Sequence, residues 1–312
     1  MTNVPAAAIP GRAPGAVDVA SAAQLACLLE ASAPKPGNVS PGRHFADARY
    51  EDFLASAVAI GGPLAGAGSR PVGTTVRLAV EATAQWTRSN TNLGIVLLLT
   101  PIARAAALAD SDPYVASGFS RTLRSALREV LESTTVADAR EVYAAIRRAA
   151  PGGLGRAESQ DVASDPTVTL LEAMSLAADR DTVAREYATA YEITFGTGAP
   201  ALDRARRAGL SWDDAIVETF LTLLAANPDT HVARRGSAAL AAEISKQARA
   251  ALASGGVGSA PGRRAIDEMD RRMRDSRNTA NPGTTADLTA AAIFVVLLGG
   301  GWSSGGPDAA SR

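Results

Sequence analysis

The sequence has few of the side chains that build disulfides, zinc sites or aromatic-rich sheets. Its 312 residues include one cysteine, Cys27, and two histidines, His44 and His231. A single cysteine cannot form an internal disulfide, and one cysteine with two histidines is too few for an ordinary zinc site. Aromatic residues make up 4% of the chain, whereas strands are normally enriched in them. These shortages argue against a disulfide scaffold, a zinc protein and a β-rich fold.

An excess of charge of either sign is also absent. The 31 Lys and Arg residues nearly balance 32 Asp and Glu residues, for a net charge of -1. The whole chain therefore offers no electrostatic reason to bind nucleic acid or an anionic membrane, and we expect neither as a partner. Residues 1–16 lack the basic start and apolar segment of a signal peptide, which favours a cytoplasmic protein. The sequence leaves the oligomeric state open, with a homodimer as one candidate.

What the chain does contain is apolar residues at helical spacing. Hydrophobic residues make up 46% of the sequence, and apolar positions recur with the period of an amphipathic helix almost throughout. We therefore predict an all-α fold, a bundle-like single domain over residues 17–302 between tails at 1–16 and 303–312. The predicted helices span 18–32, 51–61, 72–88, 93–109, 113–132, 136–149, 167–179, 182–195, 212–225, 232–253, 263–275 and 286–298.

Two of these segments, 93–109 and 288–298, are apolar enough to raise the question of a membrane span. The first contains Pro101 and Arg104, and the second is about eleven residues long, short of the roughly twenty that a bilayer requires. We expect both to be central helices of a bundle. The glycine run at 152–155 follows a helical segment and Pro151, so it is interpreted as a loop rather than a phosphate-binding motif.

Four irregular segments between the helices carry the residues that suggest chemistry. The first, residues 33–47, combines proline-stiffened backbone with Lys35, Arg43, His44 and Asp47. X-Pro steps hold a backbone extended, so this loop would present its cations, its titratable imidazole and its carboxylate at low entropic cost. The alternative is a plain proline-rich turn.

The second segment, residues 90–94, opens an apolar helix with Asn90, Thr91, Asn92 and Gly94. Capping of the helix accounts for one of the three polar side chains. A helix N-terminus that is surrounded by amide and hydroxyl groups, beside a glycine that allows close approach, suits an anion. We therefore predict that these residues bind phosphate or nucleotide.

The third segment, residues 229–236, contains His231 followed by Arg234 and Arg235. Two guanidinium groups can clamp phosphate oxygens in forked geometry, which indicates a phosphate site. The alternative is a pair of solvated arginines on a helix surface.

The fourth segment, residues 281–288, supplies Asn281, Gly283, Thr284 and Asp287 before a very apolar helix. The turn chemistry places Asp287 in the first turn of that helix, where the helix dipole favours a carboxylate. Because the helix leads into the core, the same carboxylate would lie near the centre of the molecule, where an unpaired charge is costly. A metal ion or a substrate would offset that cost.

In type and order, the four blocks PKPGNV with a following H-F-x-D, NTNLGI, D-T-H-V-x-R-R-G and NPGTTADL resemble the triphosphoribosyl-dephospho-CoA synthase family over residues 25–298. The resemblance implies an all-helical transferase that makes a prosthetic-group precursor from ATP and 3′-dephospho-CoA and releases adenine. It places the following residues in or near the active site: Lys35, His44, Asp47, Asn90, Asn92, Arg234, Arg235, Asn281 and Asp287.

The residues themselves suit a phosphorylated ligand and a hard cation such as Mg²⁺. With ATP as the ligand, as the resemblance implies, Asp47 and Asp287 would hold the ion. Cleavage of the N-glycosidic bond of ATP leaves positive charge on the ribose, so Asp47 or Asp287 would stabilise it, and a second carboxylate or His44 would accept the proton of the attacking hydroxyl. Lys35, Arg234 and Arg235 would hold the triphosphate.

The blocks depart from the best-known family members in two places. Asn92 and Leu93 stand where those members have a histidine and a basic residue, and residues 38–40 differ from their Leu-Val-Asp-like stretch. In both respects the chain is more similar to an archaeal and methylotroph branch. The acceptor therefore stays open between 3′-dephospho-CoA and a one-carbon cofactor precursor of the methanopterin or methanofuran type. A non-catalytic helical nucleotide-binding protein is the alternative from another class. In each case we expect the four segments to converge on one cleft.

Overall fold

The computed structural model describes residues 18–109 and 119–302. Within these ranges the chain forms fifteen α-helices and no β-strand, so the prediction of an all-α fold is confirmed. The helices are α1 (Val19–Ser32), α2 (Tyr50–Ala59), α3 (Gly61–Ala65), α4 (Val72–Thr83), α5 (Leu93–Ala109), α6 (Phe119–Glu132), α7 (Val136–Ala149), α8 (Leu170–Ala177), α9 (Thr182–Ala188), α10 (Ala199–Arg207), α11 (Trp212–Ala226), α12 (Thr230–Arg235), α13 (Ala238–Ala253), α14 (Ala260–Met273) and α15 (Gly283–Leu298). The predicted tails, and the start of the helix predicted at 113–132, lie outside the described residues.

Two strongly apolar helices, α5 and α15, form the centre of the molecule. Most side chains of both helices are buried, and α15 packs against α1, α5, α10 and α11. A helix that is covered on every side needs apolar residues all round rather than along one stripe. The expectation that these segments are central helices is confirmed. No helix in the described ranges is long and apolar enough to cross a membrane.

A proline inside α5 is accommodated by two buried tyrosines. Pro101 has no N–H to donate to the carbonyl of Leu97, one turn earlier. The hydroxyl of Tyr187 donates to that carbonyl at 2.7 Å, and the hydroxyl of Tyr191 donates to the carbonyl of Leu98 at 2.9 Å. The two tyrosines therefore satisfy the backbone of the central helix and attach α5 to α9 and the turn that follows it.

The single helix predicted at 232–253 is wrong, because the chain breaks at Gly236 and forms α12 and α13. The side chain of Ser237 starts α13 by accepting a hydrogen bond from the backbone N–H of Leu240 at 3.1 Å. A serine cap satisfies the free amides of a new helix. Apolar spacing continues across the break, so periodicity alone could not reveal it.

The prediction at 182–195 is too long, and α10 has no counterpart among the predicted helices. Helix α9 ends before Ala190 and Tyr191, which adopt left-handed φ values of 48° and 60°. The side chain of Arg124 holds this turn by donating from Nε to the carbonyl of Ala190 at 2.9 Å. Pro200 looks like a helix breaker in sequence, yet it lies at the start of α10, where no N–H is needed.

A capping box at the start of α7 also fixes a helix pair. The hydroxyl of Thr135 accepts from the N–H of Asp138 at 3.2 Å, and the Asp138 carboxylate accepts from the N–H of Thr135 at 2.9 Å. The second carboxylate oxygen of Asp138 accepts from the N–H of Gly73 on α4 at 2.8 Å. A Cβ atom at position 73 would overlap the backbone of Asp138. Helices α4 and α7 are therefore in close contact.

We expect Tyr187→Phe to lower the free energy of unfolding by about 1–3 kcal/mol, the usual cost of leaving a buried carbonyl without a partner. The same substitution should cost less in a Pro101→Ala background, because the amide of Ala at position 101 can then bond to the carbonyl of Leu97. Urea unfolding of the two single variants and the double variant measures this coupling. Equal costs of Tyr187→Phe in both backgrounds would show that the hydroxyl does not compensate for the proline.

Candidate active site

The proline-rich segment after α1 is fixed by an acidic side chain of α14. Asp270 accepts a hydrogen bond from the N–H of Gly37 at 2.8 Å, and Arg274 donates both to Asp270 at 2.9 Å and to the carbonyl of Asn38 at 2.8 Å. Gly37 has a left-handed φ of 74°, which favours glycine. The exposed guanidinium of Arg43 also pairs with Asp270, at 3.2 Å. The loop is thereby tied to a distant helix.

Lys35 lies beneath the cleft and not at its surface. Its side chain is fully buried, and Nζ lies 2.9 Å from the carboxylate of Glu30. Nζ also donates to the carbonyls of Glu30 and Ala33. This placement is at odds with the expectation that Lys35 contacts phosphate, because its charge is used in a buried ion pair. Glu30, its partner, does line the cleft.

The three polar side chains before α5 each have a separate partner. Asn90 caps α5 by accepting from the first helical N–H at 3.2 Å, as capping predicts. The hydroxyl of Thr91 bonds to that of Ser56 on α2, and the amide of Asn92 donates to the hydroxyl of Thr83 on α4 at 3.0 Å. These contacts fasten the start of α5 to two neighbouring helices. All three side chains still line the cleft.

The buried carboxylate of Asp229 joins the starts of α12 and α15. One oxygen accepts from the N–H of Val232 at 3.0 Å, and the other accepts from the N–H and the hydroxyl of Thr285, both at 2.7 Å. Burial raises the pKa of Asp229, while these hydrogen bonds lower it. One side chain therefore sets the position of the third sequence segment relative to the fourth.

The four segments meet at a cleft of about 750 Å³, as the sequence predicts. Most of the predicted site residues line it: Asp47, Asn90, Thr91, Asn92, Gly94, His231, Arg234, Arg235, Asn281, Gly283, Thr284 and Asp287. Lys35 and His44 are not among the lining residues. The ring of His44 is exposed, and its Nδ1 accepts a hydrogen bond from the N–H of Tyr50 at 3.1 Å.

Asp287 lies in the second turn of α15, so its predicted place in the first turn is wrong. The helix begins at Gly283, four residues earlier, and has no acidic residue in its first turn. A helix dipole acts mainly within that turn, so capping does not explain this carboxylate. No side chain or amide in the described ranges donates a hydrogen bond to it. A Cβ atom at position 94 would overlap it, so Gly94 gives the carboxylate its space.

The surroundings of Asp287 favour its protonated form. Burial raises the pKa of Asp287 well above the ordinary value of 3.8, and the nearby carboxylate of Glu30 raises it further. The charges of Asp229 and Asp181 act in the same direction, and that of Arg234 opposes them. Deprotonated, Asp287 would be a poorly compensated charge that favours a cation.

The two predicted phosphate-binding arginines already have partners. Arg234 pairs with Asp181 at 2.5 Å, and Asp181 in turn caps α9. Arg235 donates to the carbonyl of Arg277 at 2.7 Å and is exposed. Both still line the cleft, and Nε of Arg234 is buried without a hydrogen-bond partner. Their remaining N–H groups can therefore donate hydrogen bonds to a ligand.

Two more unpartnered polar atoms lie beside these arginines. Nδ1 of His231 and Oδ1 of Asn281 are buried and make no hydrogen bond within the described protein. Gly283 leaves room for the imidazole, because a Cβ atom there would collide with Nδ1. Burial lowers the pKa of His231 to about 4, helped by the charges of Arg234 and Arg235. Near neutral pH the ring is uncharged and offers hydrogen bonds rather than charge.

Asp47 lies at the rim of the cleft. Its side chain is exposed, and one oxygen accepts a long hydrogen bond of 3.4 Å from the amide of Asn278. Its backbone carbonyl accepts from the hydroxyl of Ser89, which joins the first segment to the second. Asp47 is therefore a carboxylate with free acceptor capacity that faces the cleft.

Several lining residues were missed from the sequence. Glu30 belongs to the apolar pattern of α1, and Arg88, Arg148 and Arg180 lie at helix ends where solvated arginines are common. One wall is formed by residues 150–162, which include the glycine run at 152–155 that the sequence predicts to be a loop. The sequence does contain a signal that Glu30 is not an ordinary surface residue. A carboxylate at an otherwise buried helix position needs a partner, and Lys35 follows five residues later.

The depressed pKa of His231 generates a pH prediction. The folded ring titrates near 4 and an unfolded one near 6.5. Below pH 6.5 the unfolded chain therefore binds more protons, so stability falls as the pH drops from 6.5 towards 4, by roughly 1–3 kcal/mol. Thermal unfolding of the wild type and His231→Gln across this range measures the difference, and NMR titration of the ring checks the pKa directly. Parallel pH profiles of the two proteins would contradict this placement of His231.

The chain is similar to a known protein family and to several of its members. The family profile of CitG, ATP:dephospho-CoA triphosphoribosyl transferase, matches residues 16–305. A protein of Pseudomonas paraeruginosa, provisionally named a 2-(5''-triphosphoribosyl)-3'-dephosphocoenzyme-A synthase, is 38% identical over 109 residues, which are 34% of this chain and 36% of that protein. One of the same provisional name from Pseudomonas putida is 36% identical over 117 residues, or 37% and 41% of the two chains. These matches therefore span less than half the length of the curated relatives.

A solved structure extends the likeness over most of the fold. It is a crystal structure from Archaeoglobus fulgidus, provisionally identified as a triphosphoribosyl-dephospho-CoA synthase. It has a TM-score of 0.61 and 28% sequence identity, and the match covers 80% of this chain and all of that one. With the profile match across almost the whole sequence, this shows that the chain belongs to the CitG family of ATP:dephospho-CoA triphosphoribosyl transferases.

Proposed function

We propose that this protein is a transferase that moves a 5-triphosphoribosyl group from ATP to a hydroxyl of 3′-dephospho-CoA and releases adenine. The observation that carries the proposal is Asp287, a carboxylate in the cleft that lacks hydrogen-bond donors and has arginines nearby. Family membership supports the same chemistry. A charge that is poorly compensated in the free protein suits a positive charge that develops only during the reaction.

The donor would bind along α12 and the start of α15. Arg234 and Arg235 would hold the triphosphate, and the amide of Thr284 lies at a helix N-terminus, which suits phosphate oxygens. The unpartnered Nδ1 of His231 and Oδ1 of Asn281 would bond to hydroxyl or amino groups of the nucleoside. Each of these protein atoms is otherwise a buried polar group without a partner, which is costly.

The bond changes follow from the substrates. The bond between the ribose C1′ and N9 breaks, and its electron pair leaves with adenine, which takes up a proton. The acceptor oxygen bonds to C1′ and loses its proton to a carboxylate. Asp287 would stabilise the positive charge on the ribose, and Asp47, at the rim, would accept the proton, since His44 does not line the cleft. The triphosphate stays on the product.

Magnesium fits this arrangement as a companion of ATP. The described residues contain no group of three or more His, Cys, Asp or Glu side chains that could hold a metal. Mg²⁺ in nucleotide sites is usually held by one or two carboxylates together with substrate phosphates, so such a group is not required. Asp287 and Asp47 both have free oxygens in the cleft and would be its protein ligands. Bound there, Mg²⁺ would neutralise part of the triphosphate charge.

The test is a product assay in the presence of ATP, Mg²⁺ and 3′-dephospho-CoA. We expect stoichiometric release of free adenine and an acceptor whose mass rises by that of a triphosphoribosyl group. The second acceptor to assay is a one-carbon cofactor precursor of the methanopterin or methanofuran type, the alternative that the sequence motifs leave open. Nucleotide binding without adenine release from either acceptor would reject the proposal in favour of a binding protein.

We expect Asp287→Asn to reduce the rate of adenine release by about 10²-fold or more, the scale of losing one preorganised electrostatic contact. The melting temperature should stay the same or rise, because the surroundings disfavour the ionised form of Asp287 and accept an uncharged amide instead. Asp267→Asn, on the exposed face of α14 outside the cleft, is the matched control and should leave both quantities unchanged. A destabilised Asp287→Asn protein with normal turnover would mean that this carboxylate is structural.

A further inference from the structure

Five arginines line the cleft, and apart from Arg180 they form two sets that differ in their partners. Arg234 and Arg235 are engaged by Asp181 and by the carbonyl of Arg277. Arg88 and Arg148 make no ion pair and no hydrogen bond with any residue in the described ranges. Both are exposed and both line the cleft.

The fold brings Arg88 and Arg148 to the same pocket. Arg88 follows α4, and Arg148 lies in the last turn of α7. Both line a small side pocket of about 40 Å³ that adjoins the main cleft and shares Asn90 and Ser89 with it. Neither Arg234 nor Arg235 lines that pocket. The two sets of arginines are therefore at different places along the cleft.

The packing of α4 on α7 brings the two segments that carry this pair together, so two like charges share one pocket. The carboxylate of Asp138 binds the N–H of Gly73 and presses α4 against α7. Two guanidinium groups that share a pocket without a carboxylate repel each other, and an anion removes that repulsion. Their forked donors match phosphate oxygens in particular.

The wall beyond Arg148 is apolar and open. Leu154, in the loop after α7, is 43% exposed, and Leu176 on α8 is 58% exposed, although both line the cleft. Exposed leucines next to cationic side chains suit a ligand that joins phosphate groups to a weakly polar chain. ATP has no such chain, whereas a coenzyme A precursor has a diphosphate attached to one.

We propose that Arg88 and Arg148 form a second anion subsite, which binds the diphosphate of the acceptor. The triphosphate of the donor occupies the separate subsite at Arg234 and Arg235. This assignment rests on the proposed function. It adds that the two phosphorylated substrates bind at separate positions in the same cleft. The apolar side chains of Leu154 and Leu176 then contact the arm of the acceptor.

The test separates the Michaelis constants of the two substrates. Arg88→Ala and Arg148→Ala should each raise KM for 3′-dephospho-CoA about tenfold, the usual scale for losing a hydrogen bond to a charged group, with KM for ATP within about twofold of wild type. Arg235→Ala should show the opposite pattern. Arg140→Ala removes the same charge from an exposed position on α7 outside the cleft and should change neither constant.

Calorimetric titration with 3′-dephospho-CoA distinguishes failure of this inference from failure of the proposed function. Weaker binding to Arg88→Ala and Arg148→Ala supports the subsite even if no turnover is found. A rise in KM for ATP in these two variants would overturn the assignment by placing the donor there. If KM for both substrates and the affinity for 3′-dephospho-CoA are unchanged in both variants, Arg88 and Arg148 are ordinary surface charges and the inference is wrong. Circular dichroism of each variant confirms that these exposed substitutions leave the helices folded.

Discussion

The carboxylate of Asp229 is the contact on which the geometry of the cleft depends. Asp229 is 2% exposed, and its carboxylate accepts hydrogen bonds from backbone amides at the starts of α12 and α15. Helix α12 carries His231 and the two arginines, and α15 carries Asp287. Burial of a carboxylate is costly unless hydrogen bonds replace its water, and here three bonds do so. As a result, the side chains of α12 that would bind ATP are fixed relative to Asp287, the carboxylate that would act on it.

Asp287 is the opposite case, a carboxylate that the protein leaves without donors. Gly94 allows it to lie against the start of α5, and the charge of Glu30 discourages its ionisation. Glu30 itself is neutralised from below by Lys35. Within the described residues, the carboxylate of Asp229 therefore has hydrogen-bond donors, that of Glu30 has an ion-pair partner, and that of Asp287 has neither. Functional sites commonly show this pattern of local destabilisation supported by a rigid frame.

Much of this could be predicted because helical periodicity and turn chemistry are local. The apolar segments around Leu98 and Val295 are central helices, and Thr135 and Asp138 cap α7 as their spacing indicates. What could not be predicted depends on distant partners. The double role of Asp229 requires knowing that Thr285 lies next to it, and the burial of Lys35 depends on the packing of Glu30. Arg88 and Arg148 lie about sixty residues apart, and only the packing of α4 on α7 brings them into one pocket.

The proposed reaction requires that Asp287 lie at the reacting carbon while the donor triphosphate is bound to Arg234 and Arg235. A crystal structure of the protein with ATP bound tests this placement directly. We expect phosphate oxygens within hydrogen-bonding distance of both guanidinium groups and the ribose C1′ beside the Asp287 carboxylate. A triphosphate bound at Arg88 and Arg148, or a ribose turned away from Asp287, would contradict it.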